Sequence, residues 1–520
     1  MKPYTCFLMF LLFVSSGHSQ SKVDSLFSNS KYSVGFRVSW NYDHSRSFAK
    51  NQYGISKRPV PVFIWYPAKN QMSSLLTYQS YFDHLLIQDG DSGLSEFGEK
   101  LRTYSLNSLK DQAVGLHFDE WNEVAENTFM KMLNSTFRAT SNAEPAASEK
   151  FPVLIYHPGL GGNIIENIIL FEFLASQGFI VISSSFHYQS DWSTSFYCGE
   201  TKNSLEDIDF IIQNIAEKIP HADMEKIGLL GHSFGAQAGY AYITRPNNTI
   251  RAFVSLDNTF DYRPIATIES PPYANTSWGI VLKSLTDDYI NCKAPILNIS
   301  GSMDDGSVPD YDLVRRLFKS DIYFGSYSYP MLHASFLSEA ILTYPLVEEM
   351  YSEEEVALLK TNTRSYYSLV PVIAEFFNQT LKQASPEVRL RNKEIQFIRQ
   401  APAVFPTKQN LLETWQNHGI DSIKTLYEKY QKISPKARIN CTAILDQMTT
   451  DGNSDDQIAF LEFLIAFNPK DWKLLNRLGD CYLQQENNSS ACQYFQSAEE
   501  FCDDILALSE IREKLTRIKK

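Results

Sequence analysis

The sequence predicts a doubly wound, mostly parallel α/β sheet with a helical insertion, followed by an all-α C-terminal domain. Three observations predict this architecture. Short apolar runs alternate with helical patterns between residues 151 and 301, which is typical of strands buried on both faces of a parallel sheet. In the segment just before residue 151, the apolar residues have helical spacing instead. Near the C-terminus, the apolar residues follow the pattern of a helical repeat.

The composition is that of a globular protein with more than one hydrophobic core. The chain has 520 residues, of which 43% are hydrophobic and 21% are charged, and this excludes a wholly disordered or fibrous protein. Because 60 Asp and Glu outnumber 47 Lys and Arg, the formal net charge is -13. This charge argues against a broad nucleic-acid-binding surface.

Residues 1–19 have the pattern of a secretory signal peptide. Lys2 precedes an apolar run from Cys6 to Val14, and small residues stand before a cleavage site after Ser19. This order of charged, apolar and small residues is typical of a cleaved leader, and the run is shorter than the roughly 20 apolar residues that span a bilayer. We expect a secreted or periplasmic protein whose mature chain has no transmembrane segment.

Cysteine usage is compatible with that compartment. Of the 7 cysteines in the chain, all but Cys6 lie beyond the leader, and they lack the paired close spacing of a thiolate metal site. An oxidising compartment permits disulfides. The spacing leaves the pairing open, since six cysteines can pair in fifteen ways.

The α/β domain is expected over residues 31–383. Its opening part, Ser33 to Tyr66, alternates apolar and polar residues as antiparallel strands do. Residues from about 75 to 149 have helical spacing, which predicts an all-helical insertion that would act as a lid. The buried strands follow, in runs that begin at Phe151, Phe179, Lys226, Ile250 and Ala294. Ligands bind beyond the carboxyl ends of such strands.

The C-terminal part has a different pattern. Residues 384–408 contain prolines and charges and are expected to be a linker to a helical domain over residues 409–517. In that domain one stretch matches the spacing of a tetratricopeptide repeat, and its residues are Leu475, Leu478, Gly479, Tyr482, Ala491, Phe495 and Ala498. An ordinary helical hairpin is the alternative. So few repeats bury little surface alone, and we consider a protein partner for them.

The strongest local signal is Gly231-His232-Ser233-Phe234-Gly235, between an apolar strand pattern and a helical one. In a nucleophile elbow, a strained turn in this context projects the serine hydroxyl above the sheet. The simpler alternative is a serine in a structural turn. A catalytic serine needs a histidine to remove its proton and a carboxylate to orient that histidine.

The remaining catalytic candidates follow Ser233 in the order that this fold expects, acid and then histidine. His333 is the histidine that comes after the last strand patterns of this domain, so we assign it as the general base. Asp257 ends the run from Ile250, and Asp304 follows the next run. Both aspartates lie at strand ends, and the pattern alone leaves both open as the acid.

A tetrahedral intermediate also needs backbone N–H groups that bind its oxyanion. One is expected from Phe234, directly after the nucleophile, and the other from the Gly-rich loop at residues 157–162. Glycines let this backbone approach a substrate, and the Leu160 N–H is our second donor. A Gly-rich turn without a ligand is the alternative.

Four motifs now carry a family resemblance: PVPVFIWYPAK, HPGLGG, GHSFGAQ and HASF. With them the chain resembles the α/β-hydrolase superfamily, and more narrowly the platelet-activating-factor acetylhydrolase and dienelactone-hydrolase-like group, over roughly residues 31–383. The resemblance implies a Ser233, Asp257 and His333 triad, with Leu160 and Phe234 as oxyanion donors. It also implies hydrolysis of an acyl ester, such as a lipid with a short acyl chain, without a metal or other cofactor.

The sequence therefore supports three functional hypotheses. The first is a secreted serine esterase that works through an acyl-enzyme, on a small-molecule or lipid ester. The second is a serine peptidase on the same scaffold, since a triad serves both reactions. The third is a non-catalytic protein that binds a partner through its repeats.

Overall fold

The computed structural model describes most of the chain. It covers residues 22–47, 57–70, 74–86, 92–146, 149–187, 200–246, 248–262, 279–281, 293–301, 309, 311–315, 320–327, 329–385, 387–401, 408–433, 442–502 and 504–518. The expected signal peptide and Asp304 lie outside these residues. The chain divides into two compact units, Met1–Ala403 and Val404–Lys520, which we describe separately as unit 1 and unit 2.

Unit 1 is built on one ten-stranded sheet. The strands are β1 Ser33–Ser47, β2 Lys57–Ala68, β3 Ala139–Ser141, β4 Phe151–His157, β5 Ile180–Ser184, β6 Ala222–His232, β7 Ile250–Leu256, β8 Ile296–Ser300, β9 Ile322–Tyr327 and β10 Ile395–Gln400. Their order across the sheet is β10-β9-β8-β7-β6-β4-β5-β2-β1-β3. Strands β4 to β9 pair in parallel, whereas β1 with β2, β2 with β5, and β9 with β10 pair antiparallel.

Helices cover the sheet. In unit 1 they are α1 Tyr78–Asp83, α2 Ser92–Leu109, α3 Glu123–Leu133, α4 Ile168–Ser176, α5 Thr201–Phe210, α6 Phe234–Ile243, α7 Asp312–Arg315, α8 Ser338–Val347 and α9 Glu353–Phe377. Short π-helical turns extend three of them, at Lys110–Val114, Ile211–Ile215 and Asn378–Lys382. No helix in the described ranges has a stretch long and apolar enough to cross a membrane.

The side chains of β4 point alternately into two apolar cores. Successive residues of a strand point to opposite faces of the sheet. Leu154 and Tyr156 pack in one core with α4 and α9, while Val153 and Ile155 pack in the other with α5 and α6. All seven residues of β4 are buried, which explains its unbroken apolar pattern. The mixed α/β architecture with a mostly parallel sheet is therefore as predicted.

Two segments of unit 1 differ from expectation. The insertion contains helices α1 to α3, but it is not all helical, because β3 pairs with β1 through Val34 to Phe36. The segment expected to be a linker contains β10, which extends the sheet beside β9. The one charged residue of β10, Arg399, pairs with Asp321 at 2.8 Å and with Glu387 at 2.9 Å. The expected linker is therefore in part an edge strand of unit 1.

Unit 2 is helical in its described part. Its helices are α10 Lys408–His418, α11 Ile420–Ile433, α12 Thr442–Thr450, α13 Ser454–Phe467, α14 Trp472–Gln484, α15 Asn488–Phe501 and α16 Ile505–Ile518. The repeat positions Leu475, Ala491, Phe495 and Ala498 share one buried core, while Leu478 belongs to a second core. Asn487 caps α15 by accepting the Ser490 N–H at 3.2 Å.

Candidate active site

The candidate site lies where the sheet changes winding direction. From β4 the chain moves to β5 on one side and then to β6 on the other side of β4. The carboxyl ends of the strands at such a switch point form the ligand crevice of doubly wound sheets. The loop after β4 contains Leu160, and the turn after β6 contains Ser233.

Ser233 occupies a strained turn between β6 and α6. Its φ is 52° and its ψ is -117°, a conformation that costs a non-glycine residue free energy. The turn is also tightly packed, because a Cβ at Gly235 would lie 2.0 Å from the His157 carbonyl oxygen. Glycine at this position lets α6 approach β4 and places Ser233 at the end of the strand, in the context that defines a nucleophile elbow.

Asp257 directly follows β7 and hydrogen bonds to His333. The His333 Nδ1 lies 2.5 Å from Asp257 Oδ2, and the aspartate is buried while the imidazole is half exposed. Since the carboxylate accepts from Nδ1–H, Nε2 is left with the lone pair that a general base needs. The structure thus brings together two residues that the sequence placed 76 positions apart.

Further donors hold the Asp257 carboxylate. Its Oδ1 accepts the Gly301 N–H at 2.6 Å and the Tyr262 hydroxyl at 2.8 Å. Burial alone would raise the pKa of Asp257, but the bonds and charge interaction with His333, together with those from Gly301 and Tyr262, lower it below its usual value. The group is therefore ionised at neutral pH. No sequence signal pointed to Tyr262 beyond its position five residues after Asp257.

His232 connects the elbow to the segment that carries His333. The ring of His232 is buried, and its Nε2 donates to the His333 carbonyl at 3.2 Å. The two imidazole rings lie 4.6 Å apart. Burial, with the charge of His333 next, lowers the pKa of His232 to about 3, so this ring stays neutral. No hydrogen bond joins Ser233 to His333 among the described contacts, a separation common in free enzymes.

The two expected oxyanion donors lie at loop and helix ends. Phe234 is the first residue of α6, so its N–H has no acceptor within the helix. Leu160 lies in the loop after β4, and its side chain is 52% exposed. A Cβ at Gly159, the residue before Leu160, would lie 3.5 Å from Ser233 Cβ, so this loop runs beside the elbow.

The described residues also bear on a metal site, on disulfides and on the alternative acid. No three His, Cys, Asp or Glu side chains cluster there in a way that could hold a metal ion. No disulfide joins Cys481, Cys492 and Cys502 to one another, and the remaining cysteines lie outside the described ranges. Asp304, the alternative acid, also lies outside them, in the segment that follows β8.

Comparison with known proteins gives only distant structural similarity. No protein-family model matches the chain, and no curated protein matches it. A ferulic acid esterase from Streptomyces cinnamoneus is 17% identical with a TM-score of 0.44, over 71% of this chain and 97% of the esterase. The acylaminoacyl peptidase of Pyrococcus horikoshii is 15% identical with a TM-score of 0.31, over 67% of this chain and 42% of the peptidase.

A third similar structure is a putative dipeptidyl aminopeptidase IV from Bacteroides ovatus. It is 14% identical with a TM-score of 0.34, over 66% of this chain and 36% of that protein. These identities and TM-scores are too low to transfer a function to this chain. The functional interpretation therefore rests on the geometry at the ends of β4, β6 and β7.

Proposed function

We propose that the protein is a serine hydrolase that cleaves carboxylic esters through Ser233, His333 and Asp257. The observation that carries the proposal is the 2.5 Å bond between His333 and Asp257, beside a serine held at φ 52° in a strand-to-helix turn. A buried carboxylate that orients a half-exposed imidazole is the arrangement that activates a serine hydroxyl. A structural turn alone needs no such pair.

In the proposed reaction Ser233 Oγ attacks the ester carbonyl carbon while His333 Nε2 accepts the hydroxyl proton. The tetrahedral intermediate then collapses, the bond to the alcohol breaks, and His333 returns the proton to the departing oxygen. Water attacks the resulting acyl-enzyme with His333 again as base, which releases the acid and restores the serine. Ser233 Oγ must form a hydrogen bond with His333 Nε2 before the first step.

The surrounding groups have distinct roles in this mechanism. The N–H groups of Phe234 and Leu160 would stabilise the oxyanion, because aligned backbone donors interact most strongly with the charge that forms in the transition state. Asp257 keeps the imidazole in the tautomer with a free Nε2 and stabilises the imidazolium. Both effects require only the chain's own groups.

The finer parts of the proposal come from sequence. The resemblance to acetylhydrolases favours a short or oxidised acyl chain on a lipid, and residues 1–19 favour a secreted or periplasmic site of action. The helical insertion would cover the acyl chain, and the repeat pattern of unit 2 would bind a protein partner.

The test is activity-based labelling combined with ester turnover. A fluorophosphonate probe should label the wild type and fail to label Ser233→Ala, and turnover of p-nitrophenyl esters from acetate to palmitate should fall about 10⁶-fold in that variant. Ser368→Ala, at a helix serine bonded to the Ser365 carbonyl, is the matched control and should behave as wild type.

The outcomes separate the hypotheses. Equal labelling of wild type and Ser233→Ala would reject the serine mechanism. Turnover of peptide p-nitroanilides in preference to all the esters would identify a peptidase instead. No labelling and no turnover in the wild type would favour the non-catalytic binding protein.

A further inference from the structure

The direction of the Leu160 N–H depends on a tight turn in the loop after β4. The peptide group that carries this N–H also carries the Gly159 carbonyl, which accepts the Gly162 N–H at 3.0 Å. The peptide bond is trans, so its N–H and its carbonyl point in opposite directions. The Leu160 N–H therefore points out of the turn, and whatever holds the turn holds this donor.

The buried carboxyl group of Glu166 holds the turn on the side that faces the protein interior. Glu166 Oε1 accepts the Gly159 N–H at 3.0 Å and the Tyr156 hydroxyl at 2.7 Å. Tyr156 belongs to β4, and the Glu166 residue is only 1% exposed. This carboxyl thus ties the Pro158–Gly159 peptide, which leads into the turn, to the sheet.

The same carboxyl fills the space beneath the turn. A Cβ at Gly162 would lie 1.9 Å from Glu166 Oε2, a distance at which no side chain fits. A larger residue at position 162 would displace the Glu166 carboxyl, so glycine there lets the two positions pack together. Gly162 is also the donor of the hydrogen bond that closes the turn.

A second anchor comes from the helical insertion. Ser108 in α2 is buried and donates its hydroxyl hydrogen to the Gly161 carbonyl at 3.0 Å. The residues on both sides of Leu160 are thus held by side chains, since Glu166 binds the Gly159 N–H and Ser108 binds the Gly161 carbonyl. Among the described contacts the Leu160 N–H itself has no acceptor, which leaves it available to a ligand.

We propose that Glu166 is a positioning residue that orients the Leu160 N–H toward the oxyanion, with Ser108 as the second anchor of the same loop. This inference rests on the proposed hydrolase function. Glu166 touches neither substrate nor reacting atoms in this role. Glu166 acts through the Gly159 N–H. Loss of the Glu166 carboxyl should lower the rate of the chemical step more than it weakens substrate binding.

The charge state of Glu166 determines which substitution should preserve the role. Burial, which the nearby Glu339 charge reinforces, raises its pKa to about 8 against the opposing bonds from Tyr156 and Gly159. His232 also faces it, with Nδ1 4.0 Å from Oε1. At neutral pH Glu166 is therefore mostly uncharged, and a glutamine oxygen can accept the same two hydrogen bonds.

The experiment compares four variants on an ester that the wild type hydrolyses. Glu166→Ala and Glu166→Asp, which remove or withdraw the acceptor, should lower kcat about 10- to 100-fold with KM within about threefold. Glu166→Gln should keep kcat within about threefold of wild type. Glu166→Asp also keeps the test decisive if the alanine variant does not fold.

Glu172→Ala is the matched control. Glu172 is also buried, and it accepts the Tyr81 hydroxyl and the N–H groups of Arg138 and Ala139. It lies on α4, and none of these partners belongs to the loop after β4. This variant should lose thermal stability as Glu166→Ala does while kcat stays within about threefold of wild type.

Each result has a defined meaning. If Glu166→Asp and Glu166→Ala keep the kcat of Glu172→Ala, the positioning role is overturned while the hydrolase proposal stands. If Glu166→Gln is as inactive as Glu166→Ala, a carboxylate charge is needed and the proposed role is also overturned. If the wild type hydrolyses no ester and takes no fluorophosphonate label, the failure lies in the proposed function itself.

Discussion

The two units differ in what they bury. Unit 1 encloses four carboxyl groups whose pKa values burial raises to about 7 or 8, and these belong to Glu166, Glu172, Asp261 and Glu339. In the described part of unit 2, the one buried polar or charged residue is Gln457. Both units have extensive apolar cores, so packing alone does not account for the difference.

Backbone strain follows the same division. Ser233 and Asp257, at the ends of β6 and β7, both have positive φ values, whereas in the described part of unit 2 Glu486 is the one non-glycine residue that does. Buried polar groups and strained residues both cost free energy. Unit 1 has further residues of this kind away from the site, such as Tyr311 and Ala384, but Ser233 and Asp257 are the two strained residues that belong to the proposed triad.

Among the changes that test this comparison, Asp257→Asn is expected to have the largest effect, which is a loss of turnover. The amide cannot stabilise the imidazolium and favours the wrong tautomer of His333, so kcat should fall about 10⁴-fold. The measurement is steady-state turnover of an ester that the wild type hydrolyses. Asp321→Asn, at a partner of Arg399, is the control and should leave kcat unchanged. A loss below tenfold in Asp257→Asn would direct attention to Asp304 as the acid.

The next effect is on stability, in unit 2. Phe495 is fully buried, and Phe495→Ala should lower the free energy of unfolding of this unit by about 3–5 kcal/mol while ester turnover stays as in wild type. Phe467→Ala removes a ring that is 44% exposed and should cost less. Urea unfolding of the full chain measures both. A loss of turnover in folded Phe495→Ala would show that unit 2 contributes to the reaction.

The smallest effect concerns pH and compares two glutamates that accept a tyrosine hydroxyl. Burial raises the pKa of Glu172 to about 7, so its stabilising contribution is complete below the unfolded pKa of about 4.3 and is lost as pH rises through 7. The Glu172→Gln side chain carries no charge, so its contribution to stability does not fall as pH rises. Between pH 5 and 8, the free energy of unfolding of this variant should therefore increase relative to that of the wild type by about 3 kcal/mol.

Glu462 in unit 2 provides the control for that experiment. Glu462 accepts a hydrogen bond from the Tyr482 hydroxyl at 2.7 Å on the exposed surface. The stability of Glu462→Gln should therefore change with pH as that of the wild type does. Thermal unfolding of the three proteins across this range is the measurement. Parallel curves for Glu172→Gln and the wild type would contradict the burial argument.

The elements that could be predicted are those whose local pattern matches their environment. The runs that became β4 to β8 are apolar because both faces of each strand are covered. Strand β10 was missed because it is a short edge strand in a segment with prolines and charges, and its pairing with β9 joins distant parts of the chain. A sequence pattern does not contain such long-range pairs.

The site divides in the same way. Ser233 and His333 could be named as candidates because a motif and a chain order identify them, whereas Asp257 was preferred to Asp304 only through the family resemblance. Glu166 and Ser108 were missed because their contacts depend on how a loop folds over a distant helix. One signal was present: Glu166 and Glu172 interrupt an otherwise apolar helical stretch, and a carboxyl in such a stretch needs donors that only the tertiary structure supplies.

The main chain fixes the spacing between the proposed nucleophile and its acid. The Ser233 N–H bonds to the Leu256 carbonyl, and the Asp257 N–H bonds to the Ile299 carbonyl, so each residue directly follows its strand and is bonded to the neighbouring strand. Side chains around the crevice can therefore change in evolution without moving these two positions. A descendant of this protein could acquire a new substrate by altering its loops and its insertion alone.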